Sequence, residues 1–323
     1  MNIAIIGSGQ VGKRIGTTFA RAGHDVIFYD VIKDAFAGLD GHNTTLDIKK
    51  AITHSDISFM AVPTPVGKDH KYDLSYVIKA SEACGAALKA ADKFHVFVIK
   101  STVTPGTTES VIIPALEKGS GKRAGKDFGV VYNPEFLTVI ENTWTQDKSF
   151  QIDSSKEGRI VLGEGADKRA GDIVEKFYKE TVFQTEQQKA EETDESVVYK
   201  KIKVPVPVFR TNFATAEFTK LAANNRLPLA VSYTNEILTL FGAELRKKGT
   251  DIDTDFVAGM VAKDPRIGKY GSVYGKAWGG PCFKKDTVAF RQWLEEATGR
   301  RAKLVGGAIE VNDEMKEKFG MRE

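Results

Sequence analysis

Short apolar runs alternate with helical patterns through the first half of the chain. Asn2 to Ile6 is an apolar run of strand length; a helical pattern follows to about Ala22, and a second strand runs from Asp25 to Tyr29. Ile57 to Val62, Phe94 to Lys100, Gly129 to Tyr132 and Arg159 to Leu162 read as further strands, with helices over Tyr72 to Ala91 and Asp167 to Tyr178. Near-continuous apolar strands separated by helices predict a doubly wound α/β unit, a parallel sheet covered on both faces. Gln184 to Lys203 is rich in Gln, Glu and Lys, with little apolar periodicity before Val197, and is expected to be an exposed excursion or linker over 184–208. Beyond it, Asn212 to Lys247 has a long helical period, interrupted by Pro228, whose missing N–H removes the bond to the Asn224 carbonyl and predicts a bend. Helices follow over Asp253 to Ala262, Thr287 to Ala297 and Ala302 to Phe319. The expected organisation is 1–183, the linker 184–208, and an all-helical domain 209–323 built on the long central helix.

Length and composition narrow the class. A chain of 323 residues, 41% hydrophobic and 28% charged, suits a folded protein of two domains. A net charge of +3 is too small to point to nucleic acid. No apolar stretch approaches the roughly 20 residues that span a bilayer, and the amino terminus lacks the basic region of a signal peptide. Two cysteines, Cys84 and Cys282, make no disulfide framework and favour a reducing compartment, so the cytoplasm is expected. No residues are assigned to a metal. Cys84, among small residues of a helix, reads as core packing.

The first strand runs into Gly7-Ser8-Gly9-Gln10-Val11-Gly12, and a helix follows. A lone GxGxxG is a weak signal; here a strand precedes it, a helix follows, and Asp30 stands at the end of the next strand. The glycines allow a tight turn and let a pyrophosphate approach the N–H groups of the helix start. Asp30 would accept from the adenosine ribose hydroxyls and repel a ribose phosphate, which predicts NAD rather than NADP; Lys33 is the only nearby contrary hint. Gln10 and Val11 of the loop, and Pro63 and Lys285 elsewhere, join the candidate cofactor set. Thr64, Thr102 and Glu135 each follow a strand at its carboxyl end, where open parallel sheets bind ligands. Each alone also fits a turn or cap residue.

Two features carry the chemistry. On the long helix, Glu217, Lys220 and Asn224 share one face, so Lys220 and Asn224 can stabilise charge on a reacting oxygen; the alternative is a solvated stripe with a Glu–Lys pair. The second is Gly279-Gly280-Pro281-Cys282, with Asp286 four residues after the thiol. A thiol beside a hydride acceptor permits oxidation of an aldehyde, held as a thiohemiacetal, to a thioester. The plain alternative is a buried Cys in a Gly-rich turn. The loop from Tyr270 to Trp278, with Tyr274, could wrap a sugar and a diphosphate, Trp278 supplying a stacking face.

In order, these pieces resemble the UDP-glucose dehydrogenase family, sugar-nucleotide dehydrogenases that oxidise C6 of a hexose to a carboxylate. The matching stretches are the Gly7 loop, Val62-Pro63-Thr64-Pro65, Ser101-Thr102-Val103, Asn133-Pro134-Glu135-Phe136-Leu137, Ala216-Glu217 through Lys220 to Asn224, Asn235-Glu236, and Gly279 to Thr287. The Asn-Pro-Glu-Phe-Leu form and the Cys-Phe pair look most like the UDP-glucose branch. The resemblance implies a Rossmann-like fold, NAD as cofactor and a nucleotide-sugar substrate; the length of the central helix, with apolar residues on more than one face, suggests a homodimer through it. It also implies Cys282 as nucleophile, Lys220 and Asn224 on oxyanions, Asp286 and Glu135 for water and proton steps, and Thr102 near the nicotinamide. Phe136, Leu137, Tyr270, Tyr274, Gly279 and Gly280 would join Glu135, Lys220 and Asn224 on the substrate side.

Some residues depart from the family pattern. Val139 stands where a second Glu is common, and Glu141 could replace it only in a longer loop. Lys284 replaces a usual Pro beside Cys282. The family continues into a second Rossmann-like domain beyond the point where this chain stops. Two other readings stay open: a two-electron β-hydroxyacid dehydrogenase, and a non-catalytic NAD-binding or assembly subunit.

Overall fold

The structure is a computed structural model and describes residues 1–91, 93–136, 158–192 and 197–321. Among them two compact units separate: one holds 1–64, 74–136 and 158–218, the other 65–73 and 219–321. Leu137, Val139 and Glu141 lie outside the described residues.

The first unit contains β1 (Asn2–Ile6), β2 (Asp25–Tyr29), β3 (Asn43–Thr45), β4 (Ile57–Met60), β5 (His95–Ile99), β6 (Phe128–Tyr132), β7 (Ile160–Glu164), β8 (Phe183–Glu192), β9 (Val197–Pro205) and β10 (Val208–Asn212). Eight of them form one sheet in the order β10-β7-β6-β5-β4-β1-β2-β3. Helices α1 (Gln10–Arg21), α2 (Ile48–His54), α3 (Ser75–Leu88), α4 (Ile113–Ser120) and α5 (Arg169–Thr181) connect the strands. The sheet has a core on each face, which is why its strands are apolar without alternation. Ala4 and Ile6 of β1 join Val77, Cys84, Leu88 and Leu116 in one core. Ile3 and Ile5 join Phe19, Phe59 and Phe177 in the other. Each buried Ile, Val, Leu or Phe among these contributes about 1.5–3 kcal/mol of transfer free energy. Cys84 is fully buried, and burial pushes its thiol up to about 12, so it packs and does not react.

The sheet is not wholly parallel. β7 meets β6 antiparallel through Tyr132 and Gly163, and β10 lies parallel to β7, from Val208 beside Ile160 to Asn212 beside Glu164. Edge strands of reversed direction are common on otherwise parallel sheets. A partly exposed ion cluster ties this edge to α5: Arg210 on β10 donates to buried Glu164 (Nε to Oε1 3.1 Å, Nη2 to Oε2 2.7 Å), and its Nη1 reaches Asp172 and Glu175 on α5. The sheet therefore extends past 208, and the division between units falls after Phe218.

Over 184–208, where a linker was expected, β8 and β9 form a separate two-stranded antiparallel hairpin, from Phe183 opposite Pro205 to Glu192 opposite Val197. Its sequence has little apolar periodicity before Val197, so an apolar-period criterion does not detect it.

The second unit is helical. α6 (Phe213–Thr234), whose first turn belongs to the first unit, runs without a break through a π-helical turn, Asn235–Phe241, into α7 (Gly242–Lys247). The helix persists through Pro228. α8 (Thr254–Lys263), α9 (Gly280–Thr298) and α10 (Lys303–Phe319) complete it. Val231 and Trp278 centre a small core with Tyr270, Phe283 and Ile309. α9 begins at Gly280, not at Thr287 where its apolar period becomes visible; Pro281 in its first turn is a favoured starting residue. Cys282 and Asp286 therefore sit one turn apart on a single helix.

Candidate active site

Each unit carries its own set of candidate residues. In the first unit, Gly7 leaves β1 at φ +99°, and a Cβ there would meet Ala61 O at 2.7 Å. Gly12 lies so close beneath it that a Cβ would stand 2.0 Å from Gly7 O. Gly9 differs: no protein atom lies within 4 Å of its Cβ position, so packing does not require a glycine there. α1 begins right after it, with no side chain capping its N–H groups and no acid in its first turn. Exposed Gln10 and half-buried Val11 open that helix. This cradle fits a pyrophosphate. Asp30 accepts from Ser8 N at 2.8 Å through Oδ2 and from Ile32 N at 3.1 Å through Oδ1, which fixes its carboxylate beside the loop. Lys33 is exposed in a 3₁₀ turn, Lys33–Phe36.

β6, β5, β4 and β1 are neighbours in the sheet, so the residues following them share one edge. Exposed Pro63 and buried Thr64 follow β4, half-buried Thr102 follows β5, and buried Glu135 follows β6. Phe136 lies under the Arg159 guanidinium, 4.4 Å from its ring centroid. Asn133 has a structural role: it donates to Val161 O at 2.9 Å and accepts from Lys100 Nζ at 3.0 Å and the Tyr178 hydroxyl at 2.5 Å. Glu217 is fully buried and accepts from Gly106 N (2.6 Å), Thr108 N (2.8 Å) and Thr108 Oγ1 (2.6 Å). Burial raises its carboxyl above the usual range, against those bonds. Its oxygens anchor a turn of the nucleotide-binding fold.

In the second unit, Lys220 and Asn224 are buried one turn apart on α6. Asp286 is 1% exposed and accepts three hydrogen bonds: from Asn224 Nδ2 (2.7 Å), the Tyr72 hydroxyl (2.7 Å) and Lys285 Nζ (2.5 Å). Lys285, expected from sequence on the cofactor side, makes this bond with its ammonium also 5.1 Å from the Tyr72 ring centroid. Half-buried Cys282 sits in the first turn of α9, and neither cysteine is in a disulfide. Gly280 has φ +84°, a conformation that suits glycine.

The loop before Cys282 is clamped from behind. Asn235 Nδ2 donates to Lys276 O at 2.9 Å, and its Oδ1 accepts from Gly275 N at 2.9 Å. Trp278, read from sequence as a stacking platform, is 3% exposed, and its Nε1 donates to Ser232 Oγ at 2.8 Å. It is an internal anchor, because an indole in this small core buries more apolar area than any neighbour could. Tyr270 packs against the same core, and burial pushes its phenol up. The Tyr274 hydroxyl donates to Asp255 Oδ1 at 2.5 Å and accepts from the Thr254 hydroxyl at 3.0 Å, at the start of α8. Burial raises its phenol too.

Sequence reasoning missed Tyr72, Ser232 and Asn312. Tyr72 was placed in the following helix, but α3 starts at Ser75 and Tyr72 lies in the 65–73 loop. No periodicity marks that loop. Among the described residues no group of three or more His, Cys, Asp or Glu could hold a metal, and no helix is long and apolar enough to cross a membrane.

Two family models match this chain: the NAD binding domain of the UDP-glucose/GDP-mannose dehydrogenase family over residues 37–182, and its central domain over 214–314. The UDP-glucose 6-dehydrogenase AglM of Haloferax volcanii is 31% identical over 99% of this chain and 71% of its own length. The GDP-mannose 6-dehydrogenase of Pseudomonas aeruginosa is 31% identical over 90% of this chain and 63% of its own. A solved UDP-glucose dehydrogenase from the archaeon Pyrobaculum islandicum superposes with a TM-score of 0.77 at 29% identity, covering 98% of this chain and 68% of that one. The chain thus spans between 63% and 71% of the length of these three proteins.

Proposed function

Because this chain belongs to the UDP-glucose/GDP-mannose dehydrogenase family, we propose that it oxidises the C6 hydroxyl of a nucleotide sugar, UDP-glucose before others, to the carboxylate in two NAD-dependent steps. The observation that carries this reading is one helical turn of α9: it sets the Cys282 thiol beside an Asp286 already bonded to Asn224 of α6.

NAD supplies the acceptor for both electron pairs. The first unit holds it through the Gly7 loop, the start of α1 and Asp30, with Pro63, Thr64 and Thr102 along the same sheet edge. Cys282 adds through sulfur to the C6 aldehyde, and the aldehyde oxygen becomes an alkoxide that Lys220 and Asn224 stabilise. The field at the start of α9 favours negative charge on that sulfur. The second oxidation leaves a thioester. Water then cleaves the C–S bond, with Asp286 and Glu135 accepting and delivering protons, and Cys282 leaves as the thiol. Glu135, Phe136 and the backbone at Gly279 and Gly280 stand on the substrate side. We place the protein in the cytoplasm, where a reducing medium preserves the thiol.

The test is a count. Purified protein with NAD and limiting UDP-glucose should yield two NADH per sugar consumed, and Cys282→Ala should abolish the second. One NADH per sugar from the wild type would leave a simple alcohol dehydrogenase. None with any nucleotide sugar, despite NAD binding, would leave a non-catalytic subunit.

A further inference from the structure

We propose that Tyr72 is a positioning residue for Asp286, an inference that rests on the oxidation chemistry assigned above. The chain between β4 and α3 leaves the first unit at Pro65, and residues 65–73 belong to the second. This loop closes on itself through a bridge between Val66 and Tyr72 and through Gly67 N donating to Lys71 O at 2.8 Å, with His70 at φ 62° making the turn. Lys71 Nζ is fastened to Glu296 of α9 at 2.9 Å. The result is a buried Tyr72 whose hydroxyl donates to Asp286 Oδ1.

The three donors define the carboxylate's orientation. Oδ1 accepts from Tyr72 and Lys285, and Oδ2 accepts from Asn224. An ionised carboxylate offers about four acceptor positions, so the remaining one lies on Oδ2, the oxygen that also holds Asn224. Tyr72 therefore keeps Oδ1 turned away and Oδ2 available for a water. It also keeps one N–H of the Asn224 amide engaged, which fixes where the second N–H points. Without the hydroxyl, only Lys285 holds Oδ1, on a flexible stem from the adjacent residue. The carboxylate then rotates, and Asn224 follows.

The experiment compares wild type, Tyr72→Phe and a protein carrying p-aminophenylalanine at position 72, which keeps the ring and restores a donor. Steady-state rates with NAD and UDP-glucose are followed from about pH 5 to 9. Tyr72→Phe should lower kcat about tenfold with the sugar KM within about twofold. The p-amino variant should recover most of the rate. An unchanged kcat, a loss confined to KM, or no recovery with the p-amino group would overturn the inference. So would a Tyr72→Phe protein that fails to fold where the p-amino variant folds, which would assign the hydroxyl to folding. A wild type that makes no NADH from any nucleotide sugar overturns the functional reading, and this inference with it.

Discussion

Asn312 of α10 holds both backbone polar groups of Trp278: its Oδ1 accepts from Trp278 N at 2.7 Å, and its Nδ2 donates to Trp278 O at 3.1 Å. Asn235 holds Gly275 and Lys276 in the same way, and Ser232 takes the indole N–H while donating to Ala308 O at 2.9 Å. The approach to Cys282 is set by side chains of the surrounding helices, so a Gly-rich loop gains a defined path without regular structure of its own.

Asn312→Ala orphans the buried N–H and C=O of Trp278, each at a cost of about 1–3 kcal/mol. The urea midpoint should fall accordingly, with the slope of the transition kept. Because these bonds lie within the second unit, NAD affinity should hold while turnover drops. A loss of NAD affinity equal to the loss of turnover would show that the clamp serves the whole fold.

Gly9 and Gly12 should separate ligand binding from folding. Gly9→Ala meets no protein atom within 4 Å, so stability should stay near wild type while NAD binds at least about tenfold more weakly, about 1.4 kcal/mol. Gly12→Ala places a methyl 2.0 Å from Gly7 O and should destabilise the fold itself. Calorimetric NAD titration beside thermal melts distinguishes the two. Equal effects of both substitutions on the melt would contradict the assignment.

The site residues differ in how far their contacts reach along the chain. The Gly7 loop, α1 and Asp30 form a local unit whose spacing is legible, and Thr64, Thr102 and Glu135 follow from strand ends in the same way. The Tyr72–Asp286 contact joins residues 214 apart through a loop without period, so no local signal announces it. Trp278 misled because a Gly- and aromatic-rich loop suggests exposure, whereas a small apolar core buries this ring and Ser232 and Asn312 bond its polar groups. β8 and β9 were invisible to an apolar-period criterion, and the reversed direction of β7 against β6 was not legible because a short apolar run reads alike in parallel and antiparallel pairing.

His95 gives a pH signature of the first unit. It is fully buried, with its ring nitrogens 3.1 Å from Ser55 O and 2.9 Å from Ser58 Oγ, and burial lowers it from 6.5 to about 4. The native state therefore favours the neutral ring, while the unfolded chain takes up a proton below about pH 6.5. The stabilisation is complete above that pH and is lost as pH falls toward about 4, amounting to about 3 kcal/mol across the window. Unfolding free energies of wild type and His95→Gln at several pH values isolate it: the wild-type curve should fall more steeply between pH 6.5 and 4. Parallel curves would mean that the ring titrates alike in both states.

The continuous helix from α6 to α7 leaves Tyr233, Ile237, Phe241 and Leu245 exposed at four-residue spacing, Tyr233 to 64% and Phe241 to 53%. Residues four apart follow one another up a helix face, so these form an apolar stripe rather than scattered surface residues. A second copy of the same helix, related by a twofold axis, presents an identical stripe and is the simplest partner able to cover it. Light scattering should therefore give twice the 35.4 kDa chain mass. Phe241→Asp adds charge at a site already open to solvent, so it should leave the fold intact and shift the mass toward one chain. A wild type that runs at one chain mass at about 10 μM, or a Phe241→Asp protein that stays paired, would place the contact elsewhere or remove it.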